Sequence, residues 1–379
     1  MRLLIDCMPL TGGGGVQVAI AFLNNLHYCS DVAWQAVVPE KIKTAIPAHL
    51  KSDLRLLFLR KSVQADRLWL SVKLTSLEKA FAPDVVFTVF GPAYFHARAP
   101  HVVGFALPNL IYARDSTVAS PTRQLEHILD LLRCTSFRKA DHLVVETQTV
   151  QDRLAKRLAI DAARISVIAN SVNPLLETNP CQLNTKANKF SILVPSAHYR
   201  HKNLEIIPFV AAEMKRIDPK LDFEFKLTLG SDSAPWRLIG ASAENQGVRD
   251  NLTTLGVVPI VELGRAYASC SAVYLPTLRE ASTAVYPESF HFKRPLVTSD
   301  LDFARELCGD AAAFVPPLDA AATAGILLKV AHRPEYASQL VEAGKKQLDN
   351  TYLLASEKFV QQLNLLYAVA RGKQKISAA

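Results

Sequence analysis

Apolar strand-like runs alternate with helix-like segments along this chain twice over, and that alternation narrows its fold more than any composition value does. In the first half the runs are Leu3-Leu4-Ile5, Trp34 to Val38, Leu54 to Leu59, Asp84 to Thr88, Val102 to Phe105, His142 to Val145 and Arg164 to Ile168. Residues 171–189 then lose apolar periodicity and gain prolines, Asn and Thr, the composition of a linker. The alternation resumes at Phe190 to Val194 and continues through Phe223 to Leu229, Thr253 to Leu255, Ala272 to Leu275, Leu296 to Thr298 and Ala313 to Val315. Strands spaced by helices in this way specify parallel doubly wound sheets. The chain has 379 residues, more than one core usually serves, so two α/β domains are expected. With 49% hydrophobic and 21% charged residues, both can bury a core.

The expected boundaries are a first domain over 1–172, a linker over 173–189, a second domain over 190–352, a last helix over 353–371 and a tail over 372–379. The last helix carries Phe359, Leu363, Leu366, Tyr367 and Ala370 at helical spacing. Its apolar face needs a partner, either its own domain or the first one. No run reaches the length of a membrane span, and Met1-Arg2-Leu3-Leu4-Ile5-Asp6 acquires an acid too early for a signal-peptide core. A cytosolic chain is expected.

Net charge is +8, and the excess lies in the first half: 20 Lys and Arg against 14 Asp and Glu before residue 171, 23 against 21 after it. No long basic run and no interleaved basic and aromatic patch accompany it, which argues against nucleic acid. A membrane surface or a phosphorylated acceptor fits better, with a merely solubilising charge as the alternative. Arg55, Arg60, Lys61, Arg67, Trp69, Lys73 and Lys79 run through and around an expected helix with Leu68, Val72 and Leu77; they suit anionic headgroups, or ordinary amphipathic packing. The six cysteines are scattered without metal-ligand spacing, so neither a disulfide framework nor a zinc site is expected.

Three segments carry candidate chemistry. Gly12-Gly13-Gly14-Gly15 follows the first strand and opens a helix, where Gly13, Gly14 and Gly15 can bring backbone N–H groups close to an anion. His198-Tyr199-Arg200-His201-Lys202-Asn203 follows the first strand of the second half. His198, Arg200, His201 and Lys202 there suit a diphosphate better than a metal, since two histidines without a nearby acid or thiol are a weak ligand set. Glu280 and Glu288 stand eight residues apart after Ala272 to Leu275. If Glu288 lies two turns along a helix that Glu280 precedes, about 100° per residue lets both face one ligand. Two separated carboxylates also evoke glycoside hydrolysis, but their place at a sheet end with a basic loop favours nucleotide-sugar chemistry.

Taken in order, these segments resemble the retaining, nucleotide-sugar-dependent glycosyltransferases of the GT-B fold, in particular the GT4-like group of bacterial polysaccharide enzymes. Beside the glycine loop, Ala140 to Thr147 resembles the family's strand before the interdomain region, and Ile168-Ala169-Asn170-Ser171-Val172 is similar to its I-P-N-G-V segment. His201-Lys202-Asn203-Leu204 is similar to its phosphate-lysine motif, and Glu280 with Glu288 to its E-x7-E. The resemblance implies two Rossmann-like domains facing each other across a cleft. It implies sugar transfer from a UDP- or GDP-sugar to a glycan or lipid-linked glycan with retention, without a required metal or other cofactor; a cytoplasmic location is expected, with the cytoplasmic face of the inner membrane as the surface its basic first half would suit. It assigns Lys202 to the departing diphosphate, Glu280 to donor-sugar hydroxyls and Glu288 to the ribose, with Ser282, Thr283 and Ala284 lining the donor.

The chain departs from that pattern in three places. Ala281, Ser282 and Thr283 replace glycines, Ala197 replaces an arginine for which Arg200 or His198 would compensate, and Ala106-Leu107-Pro108-Asn109 lacks a histidine, leaving Asn109 or His101. A nucleotide-sugar epimerase and a catalytically degenerate nucleotide-sugar binder are the alternatives.

Overall fold

A computed structural model describes residues 1–60, 66–112, 123–177 and 189–376. It divides into two compact units: residues 1–170 with 354–379, and residues 171–353.

Unit 1 holds a parallel sheet of seven strands among the described residues: β1 (Arg2–Asp6), β2 (Ala33–Pro39), β3 (Leu56–Leu59), β4 (Val85–Thr88), β5 (His101–Gly104), β6 (His142–Val145) and β7 (Ile165–Val167). Their spatial order is β3-β2-β1-β4-β5-β6-β7. Unit 2 holds six: β8 (Phe190–Val194), β9 (Phe223–Leu227), β10 (Leu252–Thr254), β11 (Ala272–Leu275), β12 (Leu296–Ser299) and β13 (Ala312–Val315), ordered β10-β9-β8-β11-β12-β13. All pairings are parallel. Central strands such as β4, β11 and β12 are buried along their whole length, which is why they read as unbroken apolar runs. Each sheet is a Rossmann-like doubly wound sheet. The order reverses between β1 and β4 in unit 1 and between β8 and β11 in unit 2, and ligands of such sheets gather at the carboxyl ends of strands flanking that reversal.

The last helix, Ala355–Ile376, belongs to unit 1. Phe359 packs on Phe22 with ring centroids 5.3 Å apart, and Leu366 and Ala370 are buried. Lys358 is buried as well, and its Nζ bonds Glu146 Oε1 and lies 2.9 Å from Asn170 Oδ1. The helix continues past residue 371, where the sequence reading placed a tail: Lys373, Gln374 and Lys375 are good helix formers and carry it one turn further. Residues 377–379 and most of the expected linker, 178–188, lie outside the described residues. What is described of that linker includes a short helix, Pro174–Glu177.

The Asp66–Phe81 helix buries Leu70, Leu74 and Glu78. Leu68 and Val72 are 77% and 63% exposed, beside exposed Trp69. The i, i+4, i+8 face wins because Leu70 and Leu74 enter a core with Met8, Val37, Val86 and Phe95, while the Glu78 carboxylate is held by the N–H groups of Arg98 and Ala99.

Candidate functional site

Both candidate segments of unit 2 emerge from the strands that flank its reversal. β8 runs out into a single 3-10 turn, Arg200–Lys202, closed by Asn203 in the left-handed region at φ 53°, where asparagine is tolerated. β11 runs out through Pro276 into the loop bearing Glu280. The two loops are stitched together. The Leu278 N–H donates to the His201 carbonyl at 2.7 Å, and Thr277 Oγ1 lies 3.2 Å from the same oxygen. The Lys202 ammonium is paired with Glu280 Oε1, which also lies 2.8 Å from Thr277 Oγ1. Glu280 is 4% exposed, so its charge is compensated almost entirely within the protein.

This arrangement holds a lysine cation and a carboxylate at a switch point, both nearly desolvated and fixed by side-chain and backbone hydrogen bonds. A diphosphate reaching the ammonium would find its main electrostatic partner already oriented, with no reorganisation to supply during reaction. Burial pushes the His201 imidazole below its ordinary value; Glu280 opposes that shift, and Lys202 and Arg279 add to it. The His201 ring stacks on Tyr199, centroids 5.7 Å apart. Arg200 is exposed, and His198 is held by Glu205 at 2.7 Å, so these two do not join the Lys202–Glu280 pair.

The helix after Glu280 begins only at Val285 and ends at His291. Thr283 Oγ1 accepts from the Val285 N–H at 3.3 Å, a local turn just before the helix, whose N-cap, Ala284, makes no side-chain cap. Glu280 therefore sits in the preceding loop and Glu288 in the first turn. The helical-rotation argument for their common direction does not hold, since residues 280–284 do not advance by 100° each. Ala281 and Thr283 are buried, while Ser282 and Ala284 are half-buried. Glu288 is 4% exposed, and its Oε2 accepts from the Tyr267 hydroxyl at 2.7 Å. Burial pushes its carboxyl up to about 7, and the Tyr267 hydrogen bond opposes that rise.

In unit 1, Gly13 adopts φ 66° just before the Gly14–His27 helix, a backbone that favours glycine. A Cβ on Gly15 would come 3.3 Å from both Leu10 and Phe90, whereas one on Gly14 would meet nothing within 4 Å. Asn109 is exposed after the carboxyl end of β5. His101 is instead buried, its Nε2 lying 2.9 Å from Thr88 Oγ1, which donates to Asp6 Oδ2 at 3.1 Å. Burial makes it a core group rather than a substitute for the absent histidine.

Two residues of this constellation escaped the sequence reading. Thr277 had a signal, since Thr277-Leu278-Arg279-Glu280 has the S/T-x-x-E form of a capping box, used here to bond the side chains directly. Tyr267 had none, because it lies on the Ile260–Ala268 helix, 21 positions before its partner.

Comparison with known proteins shows the fold. HepE from Anabaena, solved with UDP and glucose, superposes with a TM-score of 0.76 at 15% identity, covering 97% of this chain and 100% of that one. WaaG, a glycosyltransferase involved in lipopolysaccharide biosynthesis, superposes at 0.69 with 12% identity over 95% and 98%. The chain has the two Rossmann-like domains of the GT-B fold. Residues 190–333, all within unit 2, match the family described as Glycosyl transferases group 1. A curated relative, the O-antigen chain mannosyltransferase RfbU of Salmonella typhimurium, is 24% identical over 204 residues, 54% of this chain and 55% of RfbU, so the match spans about half of each protein.

Proposed function

We propose that this chain is a retaining glycosyltransferase of the GT4-like type. It moves a sugar from a UDP- or GDP-sugar to a glycan or lipid-linked glycan in surface polysaccharide synthesis at the cytoplasmic face of an inner membrane. The observation that carries this reading is the Lys202–Glu280 pair beside the β8/β11 reversal. In it unit 2 holds the donor: Lys202 neutralises charge on the departing diphosphate, Glu280 meets donor-sugar hydroxyls, Glu288 the ribose, and Ser282, Thr283 and Ala284 line the donor. Unit 1 takes the acceptor near Gly13, Gly14, Gly15 and Asn109. A leaving phosphate oxygen accepts the proton of the incoming hydroxyl, so no histidine is needed there. The bound UDP of HepE and the polysaccharide roles of RfbU and WaaG support the donor and acceptor classes.

A panel of nucleotide sugars screened by thermal unfolding tests the reading. A matching donor at about 100 times its Kd should stabilise the protein by about 2.7 kcal/mol. No response to any nucleotide sugar or free nucleotide would contradict it. Product analysis with the responding donor then separates transfer to an acceptor from isomerisation of the donor.

The same proposal places unit 1 at a membrane surface. Among the described residues no helix is long and apolar enough to cross a bilayer. Exposed Leu68, Trp69 and Val72 lie among exposed Arg67, Lys73 and Lys79, and the Arg123–Arg138 helix exposes Leu125, Ile128 and Leu132. Apolar and aromatic groups bordered by basic ones suit an anionic headgroup layer. Co-sedimentation should show binding to vesicles containing phosphatidylglycerol and little to phosphatidylcholine alone. Lys73→Ala should weaken that binding roughly fivefold, since each basic residue near such a surface contributes about 1 kcal/mol. Equal binding by the variant would remove this surface from the account.

A further inference from the structure

We propose that Tyr267 is a positioning residue for Glu288, its hydroxyl holding Oε2 so that Oε1 remains the acceptor for a nucleoside ribose hydroxyl. This rests on the reading of Glu288 as a ribose contact.

The geometry starts from rigidity. Tyr267 closes the last turn of the Ile260–Ala268 helix, is fully buried, and stacks on Phe292 with centroids 5.1 Å apart and planes 7° from parallel. Its ring therefore has little freedom, and its hydroxyl is fixed 2.7 Å from Glu288 Oε2. Glu288 Oε1 accepts no hydrogen bond among the described residues, and 4% of the residue's surface stays open. One oxygen is thus anchored and the other available.

The second element is the charge state. A ribose hydroxyl donates well to a carboxylate and poorly to a carboxylic acid, which has a proton of its own to place. Burial favours the acid and the Tyr267 hydrogen bond favours the ion, leaving Glu288 titrating at about 7. Tyr267 cannot take over the charge, since burial and the neighbouring Glu288 raise its phenol well above the usual value. Of the other polar groups around the pair, Cys270 adds to the rise of the Tyr267 phenol and a hydrogen bond with the Ser289 side chain opposes it. Cys270 is pushed up to about 12 by burial, Ser289 donates to the Val285 carbonyl, and Arg294 donates to the Ala268 carbonyl. Without its anchor, Glu288 would be an acid at neutral pH and free to turn its open oxygen away.

Calorimetric titration of UDP and of GDP from about pH 6 to about pH 9 tests this. In the wild type, affinity for whichever nucleotide binds should tighten as pH rises through about 7. Tyr267→Phe should move that rise upward by about one pH unit, the scale of one hydrogen bond to a charged group, and weaken binding several-fold at neutral pH while recovering most of it at the alkaline end. Glu288→Gln should flatten the profile. Should Tyr267→Phe alone fold poorly with its carboxylate unpaired, the double variant with Glu288→Gln removes that charge, and it should bind no more weakly than Glu288→Gln by itself. A uniform weakening by Tyr267→Phe at every pH, no change at all, or a further loss in the double variant would overturn the positioning role. If Glu288→Gln binds like the wild type, the ribose assignment itself fails, a result distinct from failure of Tyr267 alone.

Discussion

Replacing Lys358 by alanine is expected to destabilise unit 1 by about 3–5 kcal/mol, the usual cost of removing one partner from a buried ion pair. The Lys358 side chain is 6% exposed and that of Glu146 11%, so the carboxylate left behind has little access to water. Asn170 loses a donor at the same time. The location makes the effect more than local. Asn170 is the last residue of unit 1 before the chain enters unit 2, and Lys358 stands four residues after Leu354, where it returns. The cluster thus ties the returning Ala355–Ile376 helix to the end of the first sheet. Thermal unfolding should fall by on the order of 10 °C. Lys358→Ala combined with Glu146→Leu should recover part of that loss, because it removes the stranded charge. A fall of a degree or less in the single variant would show that the cluster contributes nothing to holding the helix.

The second large effect is a change in the pH dependence of stability on Glu288→Gln. Burial raises the Glu288 carboxyl from 4.5 to about 7 in the folded protein. A raised value means that the folded state binds the proton more tightly, so this group's contribution is fully present below 4.5 and lost as pH rises through about 7. Glutamine keeps an acceptor for the Tyr267 hydroxyl and has nothing to ionise. The stability difference, variant minus wild type, should therefore grow by about 2–3 kcal/mol between about pH 5 and about pH 8. Denaturation at a series of pH values reads it directly. A difference that stays constant with pH would mean that Glu288 does not titrate in this window.

The strands were legible because a parallel sheet covered on both faces leaves unbroken apolar runs, such as Ala272 to Leu275, that no other element of that length imitates. Lys202 and Glu280 were legible as types, since each lies in the loop after such a run. Which residues hold them was less so. Thr277 and Tyr267 act through tertiary contacts, and nothing local marks a hydroxyl whose partner lies 21 positions away. The rotation argument linking Glu280 to Glu288 failed for a related reason: periodicity applies only inside a helix, and the helix begins at Val285, after Glu280. The Asp66–Phe81 helix shows the same limit. Leu68 and Val72 are as apolar as Leu70 and Leu74, and only the position of the sheet decides which pair is buried.

The central claim is that the Lys202–Glu280 pair holds and activates a nucleotide sugar, and sugar transfer itself tests it most directly. Turnover of UDP- and GDP-sugars against a library of glycan and lipid-linked acceptors should show transfer by the wild type. Lys202→Ala and Glu280→Ala should each lower it by roughly 10²–10³-fold, the scale for removing one preorganised group from a site of developing charge. Full activity in both variants would contradict the account.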